Sequence, residues 1–184
     1  MSVDEIYSKV ADKMLTGLMV HEQLMNCYLF LGLRGYAKCH EYRYLDETKS
    51  YIRLCRYYSN HHMRIVHPTE FRIPDIIPKS WYDSKKEDMD PEMRKTCIKA
   101  AFDEWVKWES EVKACYEAAY QDLISAGEVA SAIFIGKYVK DVDDELSEAS
   151  EERLQKYAIS FDIISIMEEQ EGLYKKYKKL ISNS

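Results

Sequence analysis

All four prolines of this 184-residue chain lie in one stretch, HPTEFRIPDIIPKSWYDSKKEDMDP, residues 67–91. Proline and glycine are the residues that most often interrupt a helix, and the whole chain has only six glycines. On both sides of this stretch, apolar residues recur at intervals of three and four, which is the period of an amphipathic helix. The sequence therefore predicts long helices, one long connection, and then further long helices.

Five helices are predicted in this way. The first ends near Gly32 and Gly35, and Asp46 is the predicted N-cap of the second. The third opens with Asp90 as a cap and Pro91 at the first helical position, which is a favoured combination. The predicted bounds are about residues 3–33, 47–66, 90–124, 128–149 and 151–181.

The lengths of the connections predict the topology. Short connections place helices one and two, and helices three and four, in antiparallel hairpins. The connection of about 24 residues between helices two and three is long enough to span a bundle, because 20 helical residues rise only about 30 Å. We expect one all-α domain over residues 1–184, with an antiparallel four-helix bundle over 3–150, one long crossover, and an extra long C-terminal helix over 151–182. An up-and-down bundle with a decorated loop is the alternative.

Charge and composition exclude several classes of function. The net charge is −6, whereas binding to nucleic acid needs a basic surface. No apolar run approaches the roughly 20 residues of a membrane span, and the acidic start MSVDEIYSKV lacks a signal-peptide core. We therefore expect a cytoplasmic protein that binds neither nucleic acid nor membrane. The five cysteines form no CxxC and are expected to be reduced, with a zinc site at Cys39 and His40 as the alternative.

Ligand-type side chains occur on four of the predicted helices. Helices one and two each have a histidine on the apolar face, helix three has a glutamate beside two tryptophans, and helix four has two aspartates one turn apart. At a rise of roughly 1.5 Å per residue they reach a similar height, so we expect one metal site. Histidine nitrogen with several carboxylate oxygens suits iron(II), manganese(II) or zinc(II). The candidate ligands are His21, His62, Glu109, Asp141 and Asp144.

Each candidate ligand also has a plainer interpretation. A histidine on an apolar face is usually a hydrogen-bonded core residue. Glu109 can swing to the solvated edge, because burying an unpaired glutamate is costly. Asp141 and Asp144, together with Glu145, lie on one side of a helix and can form a solvated acidic face.

Several strings of this sequence resemble the ferritin family over about residues 4–150. FRIPDIIPKSWYDS (71–84) is similar to the long crossover of that family. The strings that resemble its first, third and fourth helices are HEQLMNCYLFL (21–31), KAAFDEWVKWESEVKACYEAA (99–119) and GEVASAIFIGKYVKDVDDELSEA (127–149). The resemblance implies a ferritin-like fold, iron as the metal, and both metal ions and further copies of the chain as partners.

The resemblance also implies roles for individual residues. In the family a glutamate ligand precedes a tyrosine by seven positions, as His21 precedes Tyr28 here, so histidine replaces that glutamate unless Glu22 fills the role. Tyr28 would lie near the metal as a hydrogen-bond or redox partner, which makes it the candidate catalytic residue. The other implied ligands are Glu109 on the third helix and Asp141 and Asp144 on the fourth.

Further features depart from the family pattern, including the aspartates of the fourth helix, which are one carbon shorter than glutamate. The family carries Glu-x-x-His on the second helix, where the glutamate bridges two irons, and the matching string here is Ser59-Asn60-His61-His62. Serine at the bridging position leaves a one-metal site and a metal-free bundle as alternatives. The predicted C-terminal helix of about 30 residues exceeds the short one of large ferritins, so a closed shell is not implied.

Three functions remain as hypotheses. The first is a ferritin-like iron-binding protein that oxidises iron(II) with oxygen or peroxide and stores or detoxifies it, as a ferroxidase-type oxidoreductase. The second is a ferritin-fold helical scaffold or interaction protein without metal chemistry, which the fifteen tyrosines favour because tyrosine is common at interfaces. The third is an oxidase of an organic substrate, for which the usual paired Glu-x-x-His motifs are missing.

Overall fold

Helical periodicity on both sides of the proline-rich stretch produces an all-α structure. The computed structural model describes residues 1–71, 73, 75–76 and 85–183. The α-helices are α1 (Val3–Leu31), α2 (Arg34–His62), α3 (Pro91–Ser125), α4 (Val129–Ala158) and α5 (Ile163–Ser182). The described residues also form a short 3-10 turn at Lys86–Asp88, and they contain no strand. The all-helical fold class predicted from the sequence is confirmed.

Local capping fixes the ends that were predicted correctly. The Ser2 hydroxyl accepts a hydrogen bond from the Glu5 N–H at 3.3 Å, and the Glu5 carboxylate accepts one from the Ser2 N–H at 2.7 Å. Helix α1 ends at Gly32, whose φ of 79° is left-handed and favours glycine. Helix α3 begins after Asp90, which accepts a hydrogen bond from the Met93 N–H at 2.7 Å. Gly32 and Asp90 are local sequence signals, which is why the sequence predicts these two helix ends.

Helix α2 begins at Arg34, about 13 residues before the predicted start near residue 47. Asp46, the predicted N-cap, lies inside this helix and is half-buried. The actual cap residue, Leu33, provides no side-chain hydrogen bond. Instead, the Gln170 side chain on α5 accepts a hydrogen bond from the Gly35 N–H at 2.7 Å. The start of α2 therefore depends on a residue that is distant in the sequence.

The boundary between the last two helices also differs from the prediction. Helix α4 continues to Ala158 instead of ending near residue 149, and α5 has 20 residues instead of about 30. The chain turns at Ser160 and Phe161, whose φ values of 51° and 54° are both in the left-handed region. Because neither residue is glycine, the sequence contains no ordinary signal for a break at this point.

Contacts at opposite ends of α1 confirm the long crossover. Arg64, just after α2, forms an ion pair with Asp4 near the start of α1. Arg94 on the first turn of α3 donates to the Leu31 carbonyl at the end of α1, at 2.5 Å. Between them, the Asp12 side chain accepts from the Thr69 N–H at 3.1 Å. The described ends of the connection from α2 to α3 therefore lie at opposite ends of α1.

Helices α1 and α2 pack as one pair, α3 and α4 as another, and α1 also packs against α3. Helix α5 packs back against α2. The predicted apolar face of α1 is buried throughout, with Tyr7, Val10, Met14, Gly17, His21, Leu24, Tyr28 and Leu31 in the core. Within the described residues, no helix combines the length and hydropathy that crossing a membrane requires.

Candidate metal centre

Two buried histidines contact each other in the middle of the bundle. The Nδ1 atoms of His21 on α1 and His40 on α2 are 3.1 Å apart. The His40 ring stacks on Tyr28 at 5.3 Å and meets the edge of Trp105 at 4.8 Å. Burial lowers the pKa of His21 to about 3 and holds the pKa of His40 well below its ordinary value. Both imidazoles are therefore neutral at pH 7.

The neighbours of this pair determine its tautomers. Two neutral rings can share one hydrogen bond only if one Nδ1 carries the proton and the other accepts it. The His40 Nε2 atom is buried and has no hydrogen-bond partner among the described residues. A buried N–H without a partner is rarer than a buried acceptor without one, so His40 carries its proton on Nδ1 and donates to His21. The Nδ1 lone pair of His21 is thus already used.

Glu109 on α3 is 1% exposed and accepts a hydrogen bond from the Trp105 indole N–H at 3.0 Å. It does not reach the solvated edge, which was the plainer expectation for it. Burial raises the pKa of Glu109 to about 8, with Glu145 adding to the increase and Arg43 opposing it. Glu109 is therefore mostly protonated at neutral pH.

Arg43 on α2, one turn after His40, places a permanent positive charge in this region. Its side chain is buried, with 6% exposure, and its guanidinium pairs with two glutamates of α4. One is Glu145, and the other is Glu148 at 2.5 Å. Although burial opposes the ionisation of Glu148, hydrogen bonds from Tyr177 and Lys176 outweigh it and lower its pKa. We refer to Arg43, Glu47, Glu109, Glu145 and Glu148 as the charged cluster.

Glu47 completes the charged cluster one turn beyond Arg43 on α2. Its carboxyl accepts a hydrogen bond from the Tyr116 hydroxyl at 3.3 Å. Burial, followed by the nearby Glu145 and Glu109, raises its pKa well above the ordinary value. Arg43 therefore pairs with Glu145 and shares Glu148 with Lys176, while burial favours the protonated forms of Glu47 and Glu109.

His62 lies at the other end of the bundle from His21. It is the last residue of α2, and its Nε2 atom is 3.1 Å from the Ser131 hydroxyl of α4. Because 22 helical residues separate His40 from His62, the two are about 33 Å apart along α2. This corrects the expectation that His21 and His62 reach one level: α2 starts earlier than predicted, so His40 is the residue that faces His21.

The two predicted aspartates lie on the correct helix but outside the core. Asp141 and Asp144 are exposed, at the mouth of a groove that leads to Arg43. Burial and the nearby Asp46 raise the pKa of Asp141. The acids of α4 that reach the centre lie one turn further along, at Glu145 and Glu148. The five predicted ligands are therefore not brought together around one ion.

The two remaining candidates, Tyr28 and Cys39, are both buried. Tyr28 lies beside the histidine pair, fully buried, with its hydroxyl unpaired among the described residues. Cys39 is buried, and burial raises the pKa of its thiol to about 11, so it is not a preformed thiolate ligand beside His40. In the described part of the chain, no three His, Cys, Asp or Glu side chains are arranged to hold a metal ion. The residues of the charged cluster do not fit an iron pair, because Glu145 and Glu148 already pair with the Arg43 guanidinium.

Comparison with known proteins identifies the fold. No protein family and no curated protein sequence matches the chain. Among solved structures, an engineered closed form of the Archaeoglobus fulgidus ferritin is similar, with a TM-score of 0.77, 14% identity, and coverage of 95% of this chain and 96% of that one. The M. penetrans ferritin has a TM-score of 0.76 and 17% identity, with coverage of 95% and 94%. At such identities the likeness concerns the backbone arrangement: this chain has the ferritin-like helical fold that its sequence predicts.

Proposed function

We propose that this protein is a ferritin-fold helical scaffold or interaction protein whose bundle centre is neutralised by arginine and not by iron. The observation that carries the proposal is the Arg43 guanidinium, buried between α2 and α4 and paired with Glu145 and Glu148. These carboxylates are the ones through which α4 would hold a metal. Arg43 is a cation that the chain itself provides.

Electrostatics supports this exclusion of a metal. A divalent ion about 4 Å from a guanidinium would be repelled by roughly 8 kcal/mol at an effective dielectric constant near 20, which is twice the value for two unit charges. Iron would therefore have to displace Arg43 from its carboxylates. It would also have to break the hydrogen bond between His21 and His40, since that bond uses the Nδ1 lone pair of His21.

Exposed apolar side chains support an interaction role. Met63 is 85% exposed, Ile65 73% and Ile73 68%, all within the first part of the connection that follows α2. Large exposed apolar side chains that occur together are typical of surfaces that bind other proteins. A homo-oligomer in the cytoplasm remains part of the proposal, and the ferritins with this fold include one described as a closed form and another as an open-pore form.

A second candidate function is iron binding with oxidation of iron(II). It is favoured by the retention of ligand-type side chains in the bundle centre, namely His21 and Glu109 with Tyr28 beside them. One protein of similar fold is a ferritin variant whose crystal structure was determined after soaking in iron. For this function, iron, or manganese or zinc in its place, would bind after Arg43 moves away. The organic-substrate oxidase has no comparable support.

Metal content and iron oxidation separate these functions. Protein purified without a tag from iron-supplemented cells should contain far less than one iron, manganese or zinc ion per chain. It should also not accelerate the oxidation of iron(II) by oxygen or peroxide above the rate without protein. One or two irons per chain, lost in a variant carrying both His21→Ala and Glu109→Ala, would replace the first proposal by the second.

A further inference from the structure

Helix α5 is attached to the bundle mainly along one helix, α2. A close backbone contact fixes its position at the start of α2. A Cβ atom on Gly35 would lie 2.7 Å from the Gln170 carbonyl oxygen and 2.9 Å from the Leu173 Cβ, which is closer than side chains approach. Gly35 is therefore required for α5 to approach this closely, and the same approach lets the Gln170 side chain cap α2.

Further along, α5 covers a thiol and reaches the charged cluster. The Tyr177 hydroxyl donates to Glu148 at 2.6 Å, and Lys176 donates to the same carboxylate at 3.0 Å. The buried Cys39 lies on α2 between Gly35, which contacts Gln170 and Leu173, and Tyr42, whose ring centroid is 5.8 Å from that of Tyr177. Because Glu148 bonds to Arg43 as well, one carboxylate connects α5 with the cluster.

The junction before α5 is strained. Ser160 and Phe161 have φ values of 51° and 54°, which non-glycine residues rarely adopt. Phe161 is buried against Tyr157 at 4.9 Å and Phe102 at 6.4 Å, so packing holds the junction in this conformation. Undocking of α5 would release this strain.

We infer that α5 is a strap that opens and closes over the first turns of α2. When closed, it caps α2, covers Cys39 and holds Glu148 toward Arg43. When open, it exposes Cys39 and leaves the first turn of α2 without its cap, so the beginning of α2 frays. This inference goes beyond the proposed function and does not depend on it.

Gly35→Ala tests the strap without changing any residue of α5. Alanine favours a helix more than glycine does, so if residue 35 did not touch α5 the variant would be at least as stable as the wild type. Because the added Cβ would clash with the Gln170 carbonyl oxygen and the Leu173 Cβ, α5 is forced away. Alkylation of Cys39 should then accelerate by about tenfold or more. Gly172→Ala is the matched control, because a Cβ there meets no atom within 4 Å. It should label Cys39 at the wild-type rate.

Alkylation is read peptide by peptide with mass spectrometry, which separates local from global opening. Cys27 and Cys97 are buried elsewhere in the bundle and become reactive only if the whole fold opens. Rapid labelling of Cys39 while these two stay protected supports the strap. An unchanged Cys39 rate in Gly35→Ala, or equal acceleration at all three cysteines, overturns it.

Ser160→Gly should have the opposite effect to Gly35→Ala, because it removes backbone strain from the junction before α5. Glycine adopts the left-handed region without strain, so this variant should hold α5 closed more tightly and slow the labelling of Cys39 by several-fold. Hydrogen exchange over residues 163–182 should slow in parallel. Unchanged or faster labelling would show that the junction does not oppose docking, and would overturn the strained-strap inference.

Discussion

The bundle contains two histidine-containing clusters that differ in how their polar groups are satisfied. In the centre, the His21–His40 pair lies near the Arg43 guanidinium, which pairs with Glu145 and Glu148. At the end where α1 begins, His62 hydrogen-bonds to Ser131 and lies against the ring of Tyr7 at 5.5 Å. The buried guanidinium holds the glutamates of the centre in place, whereas His62 is held by a hydrogen bond and by ring packing.

The largest expected effect is at Arg43. Arg43→Ala leaves Glu145 and Glu148 near the core without their cation, and we expect a loss of about 3–5 kcal/mol in the free energy of unfolding. Arg43→Lys keeps the charge but loses the two-pronged geometry, so its loss should be smaller. Denaturant unfolding at pH 7 measures both. Equal losses for alanine and lysine would contradict a role based on charge.

Arg43→Ala should also differ from the wild type in its binding of divalent metal ions. Without the guanidinium, Glu145 and Glu148 are freed for a divalent cation beside Glu109, so manganese(II) or zinc(II) should raise the melting temperature of Arg43→Ala and not that of the wild type. His62→Ala serves as the control and should respond like the wild type. A metal-dependent increase in the wild type would contradict the central role of Arg43.

Glu109 predicts a pH dependence. Its pKa of about 8 in the folded state is above that of an unfolded glutamate near 4.5, so its contribution to stability is fully present below about pH 4.5 and is lost as pH rises toward 8. The free energy of unfolding should fall by up to about 1.4 kcal/mol per pH unit in this window, relative to Glu109→Gln. A constant difference between wild type and Glu109→Gln from pH 5 to 8 would show that Glu109 does not hold a proton.

The histidine pair should behave as a unit. His40→Phe leaves the His21 Nδ1 atom buried without its partner, which should cost about 1–3 kcal/mol of stability. The double variant His21→Phe with His40→Phe removes both polar groups and should recover part of that loss. Additive losses in the double-mutant cycle would mean that the 3.1 Å contact is not a hydrogen bond.

The smallest effect is expected at the other end of the bundle. His62 is half-buried and hydrogen-bonds to Ser131, so His62→Ala should cost only about 1 kcal/mol. Denaturant unfolding of His62→Ala and Arg43→Ala under the same conditions compares the two losses in the free energy of unfolding. A loss at His62 as large as the loss at Arg43 would contradict the distinction drawn between them.

The fold was predictable from the sequence because its main signals are local. The apolar spacing of α1, the glycine that ends it and the Asp90–Pro91 start of α3 each depend on residues only a few positions apart. The length of the proline-containing connection predicts the crossover. These features need no knowledge of distant contacts.

The centre was predictable only in part, because α2 begins with a cap from a distant helix. Without the Gln170 hydrogen bond, the segment containing His40 and Arg43 has no start signal and was predicted to lie outside a helix. His62 was therefore assigned to the height that His40 occupies. His21 lies on the buried face of α1 as its spacing predicts, and Glu109, for which a buried and a solvated position were both left open, is buried. The cation beside Glu109 was missed together with the start of α2.

Anomalous diffraction at the iron edge, from crystals of the wild-type protein soaked anaerobically in iron(II), shows whether Arg43 excludes iron from the bundle centre. We expect density for the Arg43 guanidinium between Glu145 and Glu148, with no anomalous peak in the charged cluster. An iron peak bonded to Glu109 and His21, with Arg43 turned away from its carboxylates, would contradict it.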